Sequence, residues 1–193
     1  MRAFLGLALP QRVRHTLIAC RDAAIDADPT WRGEKWVTEE NLHVTVRFLG
    51  DVDLSIADDA AARLLPAIRD LSPYRLSLDR VTVVPRLRAT SLVWAEAGQG
   101  SAETAALAAR VDAALEGLVP PPERRRFRTH ATLCRARRPR RLAPSALDAI
   151  EHTLHRADER VRSMSVQEVT LYSSVLTPTG PVYHEIAAFP LGG

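Results

Sequence analysis

The chain is short of the residues that mark several large protein classes. It has two cysteines, Cys20 and Cys134, too few for a disulfide framework or a four-thiolate zinc site. No apolar run approaches the roughly 20 residues that cross a bilayer; even the opening Ala3 to Leu9 is closed by Pro10. That opening also lacks the basic leader and small-residue cleavage site of a secretory signal. Solenoid repeats, a heptad seam and low-complexity linkers are missing too. What remains is a globular composition, 46% hydrophobic and 25% charged in 193 residues, which suits one domain spanning 1–193. A monomer in a reducing cytoplasm, with no membrane contact, is the expectation.

Lysine is also scarce: of 26 cationic side chains only Lys35 is not arginine, so arginine richness is partly a habit of the whole sequence. The net charge of +3 nevertheless hides a local imbalance. Between Pro120 and Arg141 stand arginines 124, 125, 126, 128, 135, 137, 138, 140 and 141 against the single acid Glu123. That segment carries +8 and the rest of the chain −5. A solvated face or flexible loop is one reading, and an attractor for a polyanion is the other.

Periodicity suggests a strand from Arg2 to Leu9 and a helix after Pro10 with Val13, Leu17, Ile18, Ala24 and Ile25 near helical spacing. Lys35–Thr38 and Leu42–Leu49 read as strands, the second alternating Leu42, Val44, Val46 and Phe48 against His43, Thr45 and Arg47. Asp53–Asp70 reads as a helix capped near Asp53 or Ser55, Arg75–Val84 and Ser91–Ala97 as paired strands, and Ser101–Leu118 as a helix stopped by Pro120 to Pro122. Strand at Phe127–Cys134, helix at Pro144–His155, and strands at Ser163–Ser173 and Val182–Phe189 complete the order. It is not a regular succession of strand–helix crossovers, so the fold class is α+β with mainly antiparallel sheets.

One internal echo carries chemistry. His43-Val44-Thr45-Val46 and His130-Ala131-Thr132-Leu133 are both His-x-Thr-aliphatic, and both fall on predicted strands. Residues i and i+2 of a strand share a face, so each motif presents an imidazole beside a hydroxyl. If the two strands face one groove, the four groups can converge on a tetrahedral phosphate. In-line displacement at phosphorus needs a base on the attacking oxygen and an acid on the departing one, on opposite sides, which explains two histidines. With a reference pKa near 6.5, one imidazole can be neutral while the other is protonated. Threonine hydroxyls would donate to the non-bridging oxygens. This chemistry requires no metal and no other cofactor. His152 and His155 lack the further ligands of a metal site, and Arg14-His15-Thr16 lacks the glycine of a phosphohistidine motif. Cys134 alternates with Thr132 and could lie near the groove, though a buried thiol is its commoner role.

At these residues the sequence resembles the two-histidine phosphoesterases, and most closely the bacterial and archaeal RNA 2′,3′-cyclic phosphodiesterases formerly described as 2′-5′ RNA ligases. The likeness runs through Arg2-Ala3-Phe4-Leu5-Gly6-Leu7 with Pro10, Asn41 to Gly50, His130 to Arg135, and Leu171 to Leu176 with Gly180, Tyr183 and Pro190-Leu191. Val46 stands where the family usually has leucine, and the arginines of 135–141 are denser than usual. The resemblance implies a bilobal, pseudo-two-fold symmetric fold, with two mainly antiparallel sheets lining a central cleft and helices outside. It also implies hydrolysis of a terminal ribose 2′,3′-cyclic phosphate, on RNA ends or small cyclic nucleotides, to a 2′-phosphate. By analogy His130 is the base on water, His43 the acid on the 3′ oxygen, and Thr45 and Thr132 hold phosphate oxygens. Arg135 matches an arginine near the phosphate or terminal nucleotide. Phe48 matches an aromatic near the cleft, core packing being its other reading. The arginines around His130 would attract the remaining RNA backbone.

Two alternatives stay open on sequence grounds. One is 2′-5′ ligation, the same displacement with a ribose hydroxyl replacing water. The other is a non-catalytic RNA-binding module in which the arginines matter and the histidines are structural.

Overall fold

A computed structural model of the chain describes residues 1–122, 126–178 and 180–192. Strand β1 (Arg2–Ala8) leads into α1 (Gln11–Ala27), which buries Val13, Leu17, Cys20 and Ala24 along one stripe. The short β2 (Lys35–Trp36) and the long β3 (His43–Asp51) follow. Helix α2 (Leu54–Ile68) starts where the Asp53 carboxylate accepts a hydrogen bond from the Ile56 amide at 3.0 Å. Next come β4 (Tyr74–Val84), β5 (Thr90–Ala97), α3 (Ser101–Ala114) and β6 (His130–Arg140). The chain finishes with α4 (Pro144–Arg156), the single-turn α5 (Glu159–Arg162), β7 (Ser163–Val166), β8 (Glu168–Thr177) and β9 (Gly180–Pro190).

The strands pair antiparallel in the order β7-β4-β5-β6-β3-β1-β8-β9, with β2 added to β6. This is an α+β architecture in two halves, β6-β5-β4-β7 and β3-β1-β8-β9. In the sheet, the halves are joined through one ladder pair, Val44 opposite Ala131. Helices α2 and α3 pack together over β9 and β3, while α1 packs on α4 and α4 lies over β4. Each half is therefore four strands and a helix pair, the first half carrying the short β2 as well. In the α1–α4 seam, Leu17, Ile150 and Leu154 are almost wholly buried, and each such side chain contributes roughly 1.5–3 kcal/mol. None of the described helices is long and apolar enough to cross a membrane.

Three elements depart from the sequence reading. Strand β6 begins at His130 rather than Phe127 and runs on through Arg140, so arginines 135–140 belong to a strand rather than a loop. The ladder to β5, which reaches Thr90 opposite Arg140, holds them extended. Helix α3 stops at Ala114, because left-handed Gly117 (φ 74) turns the chain before the prolines do. The strand expected over Ser163–Ser173 is two: β7 pairs with β4 in one half and β8 with β1 in the other, with Gln167 between them.

Candidate active site

The junction between the halves places the two His-x-Thr motifs side by side. Val44 and Ala131 are both 0% exposed and point to the core, so the residues flanking them point the other way. An antiparallel register centred on this pair sets His43 across from Thr132 and Thr45 across from His130. Regular strand rise and spacing then separate the two histidine Cα atoms by about 8 Å on one open face of the sheet. A cavity of about 400 Å³ lined by Arg47, Asp112 and Pro121 lies on the helix-covered side instead and does not include either histidine.

Two β-bulges complete this face. In β3, Gly6 of β1 pairs with Thr45 and the next residue, Leu5, pairs with Arg47, so Val46 is skipped. Val46 and Arg47 both turn inward, where Arg47 Nε lies 2.8 Å from Asp112 Oδ1 on α3. In β6, Trp94 pairs with Thr132 and Val93 with Cys134, so Leu133 is skipped. Leu133 and Cys134 are both buried as a result. Each bulge re-aims the following residue onto the face of the histidines. Those residues are Phe48 and Arg135, each five positions beyond its histidine. Phe48 is consequently 56% exposed. Strict alternation would have left Phe48 in the core and Arg47 and Cys134 in the groove; the structure reverses all three. Burial instead pushes the Cys134 thiol up to about 12, with nearby Glu34 adding to the rise.

Both rings are oriented the same way. His43 Nδ1 lies 2.7 Å from Asn41 O, and His130 Nδ1 lies 2.7 Å from Arg128 O. A carbonyl only accepts, so Nδ1 carries the hydrogen in each ring and Nε2 is left for chemistry. His43 Nε2 is 2.9 Å from Thr45 Oγ1. Ring packing fixes the planes: Phe4 tilts against His43 at 4.7 Å, Tyr183 meets it edge-on at 5.2 Å, and Trp94 stacks on His130 at 3.9 Å. Burial lowers the pKa of both imidazoles below the ordinary value. The Asn41 and Arg128 carbonyls oppose this, while Arg135 acts on both rings as a further lowering charge. Arg135 also acts on the Tyr183 phenol, which burial raises.

The arginine-rich segment divides into groups with different duties. Arg140 pairs with Glu34 at 2.7 Å and lies over the Trp31 ring. Arg137 donates to Gly33 O at 2.9 Å and its amide donates to Glu34 at 2.7 Å. Arg128 is clamped by Glu96. These three are anchors within the protein. Arg135 and Arg138 are exposed on β6, and Arg124 and Arg125 lie outside the described residues. The sequence reading gave no role to Trp94, Glu96, Asn41 or Gly6. Gly6 and Asn41 fell inside the family-like runs, but Trp94 and Glu96 carried no signal beyond membership of a predicted strand. His155 Nε2 meets Asp79 O at 3.2 Å and His152 meets Arg156 at 3.5 Å, both away from the groove.

Known proteins resemble the chain over nearly its whole length. The chain is 32% identical over 149 residues to an RNA 2′,3′-cyclic phosphodiesterase of Aeropyrum pernix, covering 77% of this chain and 81% of that one. It is 31% identical over 192 residues to the protein of that name from Methanothermobacter thermautotrophicus, covering 99% of each. A crystal structure from Thermus thermophilus superposes with a TM-score of 0.77 at 27% identity, covering 100% of this chain and 99% of that one. The sequence model of one family matches residues 21–177, a span that takes in both His-x-Thr strands. By that match and those identities, the chain belongs to the 2′-5′ RNA ligase superfamily.

Proposed function

We propose that this protein hydrolyses 2′,3′-cyclic phosphate ends of RNA, or small cyclic nucleotides, to 2′-phosphates, with His43 and His130 as the acid–base pair. The observation that carries this reading is the junction itself: two His-x-Thr pairs on one face, each ring with Nδ1 committed to a backbone carbonyl. The relatives' shared activity supports the reaction class.

In the reaction, one Nε2 removes a proton from water as its oxygen attacks phosphorus. The other donates a proton to the departing 3′ oxygen on the opposite side, so the P–O3′ bond breaks and a free 3′ hydroxyl is left. Each proton transfer typically contributes about 10²- to 10⁴-fold. Family analogy makes His130 the base and His43 the acid. The Thr45 and Thr132 hydroxyls donate to non-bridging oxygens; Thr45 exchanges its bond to His43 for one to phosphate as the substrate arrives. Arg135 supplies a guanidinium to the phosphate and Phe48 an exposed ring for the base to stack on.

The purified protein is incubated with 2′,3′-cyclic AMP and with an oligomer ending in a cyclic phosphate, in the presence of EDTA. Turnover to 2′-phosphates, reduced at least 100-fold in His43→Ala and His130→Ala, is the expected result. Undiminished turnover in the double variant, or dependence on an added metal, defeats the reading. Ligation is the second reading, favoured by the family to which the chain belongs; joined 2′-5′ products at high RNA concentration would reveal it. A purely RNA-binding role is weakened by the internal engagement of Arg128, Arg137 and Arg140.

A further inference from the structure

The two halves anchor their histidines by the same device, built with different charges. Two residues before each histidine stands the one whose carbonyl orients the ring, and its side chain is tied to a neighbouring strand. Asn41 is tied by Nδ2 to Pro181 O of β9 at 2.8 Å, a neutral bond. Arg128 is tied to Glu96 of β5 by a bidentate fork, Nε to Oε1 and Nη2 to Oε2, both 2.7 Å. Glu96 stands directly opposite His130 in the ladder and is only 8% exposed. Thr82 Oγ1 donates to the same carboxylate. Burial alone would raise the Glu96 pKa, but the Thr82 and Arg128 bonds and the charges of Arg128 and Arg80 outweigh it and keep the group ionised.

We infer that Glu96 is a positioning residue for His130: it clamps Arg128, whose carbonyl orients the ring, and its negative charge favours the imidazolium on His130 over that on His43. The groups around His130 are Glu96 and Trp94 from β5, Arg128 from the preceding segment, Arg135 from its own strand and His43 from β3. Glu96 alone among these is negative, and its attraction is the largest single charge effect at the ring, with Arg135 and Arg128 opposing it. The charges acting on His43 are Arg135 and, when it is protonated, His130, and its other neighbours Phe4 and Tyr183 are neutral rings. A buried carboxylate beside an imidazole is costly to keep unless paired, and here the fork that satisfies it also sets the ring.

The inference rests on the two-histidine reading, yet its test does not require turnover. NMR titration of histidine-labelled protein, with the rings assigned through His43→Asn and His130→Asn, gives both pKa values directly. In the parent protein His130 should titrate above His43; with His130 as base and His43 as acid, the reactive form is then the minority one in which the proton sits on His43, and the pH optimum lies between the two values. In Glu96→Gln, which keeps the size of the side chain and removes its charge, the His130 value should fall by on the order of one pH unit with a smaller change at His43. The limb of the pH–kcat/KM profile assigned to His130 should move down with it. His130 titrating below His43 in the parent protein overturns the inference, and so do unchanged titrations in Glu96→Gln, whatever happens to turnover. Should that variant not fold, the order of the two values in the parent protein decides alone. Loss of cyclic phosphodiesterase activity with these titrations intact would instead strike the reaction assignment.

Discussion

Replacing Gly6 by alanine asks whether packing against β1 sets the position of the His43 ring. The added methyl would sit 3.2 Å from Phe4 Cε2, 3.2 Å from Val44 O and 3.5 Å from His43 Cδ2. Neither near neighbour retreats easily. Val44 is half of the pair that joins the two halves, and the Phe4 ring is stacked on Tyr172 at 5.2 Å and met edge-on by Tyr183 at 4.9 Å. The Phe4 ring must therefore give by a few tenths of an ångström, and it lies against the His43 ring at 4.7 Å, so a shift passes to the imidazole. Overpacking of this kind costs about 1–3 kcal/mol. Removing glycine's freedom in the unfolded chain returns about 0.5–1 kcal/mol. The net destabilisation, about 0–2.5 kcal/mol, lowers Tm by no more than about 10 °C for a chain of this size. Catalysis is more sensitive, because a misplacement of about 1 Å can cost about 100-fold; a shift of a few tenths should lower kcat roughly 3- to 10-fold with KM little changed. Hydrolysis of 2′,3′-cyclic AMP measures this, and Gly33→Ala, where the methyl meets nothing within 4 Å, is the control. Parental kcat in Gly6→Ala, or an equal loss in Gly33→Ala, refutes the argument that β1 packing positions His43.

The lowered imidazole pKa values tie stability to pH. As pH falls through about 6.5 the unfolded chain takes up protons first, so stability should decline on acidification and level off once the folded-state values of His43 and His130 are passed. Urea midpoints at pH 7.5 and 5.5 should differ less in His43→Gln and His130→Gln than in the parent; equal differences count against the lowering. Phe48→Ala should raise KM for cyclic nucleotides several-fold with kcat nearly kept, whereas Arg135→Ala should depress kcat/KM about 10-fold or more by withdrawing phosphate charge; the opposite split would reverse their duties. Cys134, with its thiol pushed up to about 12 and buried by the β6 bulge, should resist a thiol reagent at pH 8 until urea unfolds the chain. Rapid labelling of the native protein would show the bulge to be misplaced.

Local chemistry was enough to write much of this architecture from the amino-acid order. The apolar stripe of Val13, Leu17 and Ala24, the Asp53 cap and the period-two runs around His43 and His130 each depend on residues within a few positions of one another. The α+β class and the paired His-x-Thr motifs followed, and with them Thr45 and Thr132 beside their histidines. The facing of Phe48, Arg47 and Cys134 was not available from the same source. It depends on which residue of β1 or β5 lies opposite, and a bulge of one residue inverts every side chain beyond it. The division of the arginines was likewise hidden, because the partners that hold Arg128, Arg137 and Arg140 lie 32, 104 and 106 residues away in the chain. Tertiary structure alone decided that two strands 87 residues apart would touch at Val44 and Ala131. No short-range preference records a single cross-strand pair, and that pair brings the imidazoles to one face.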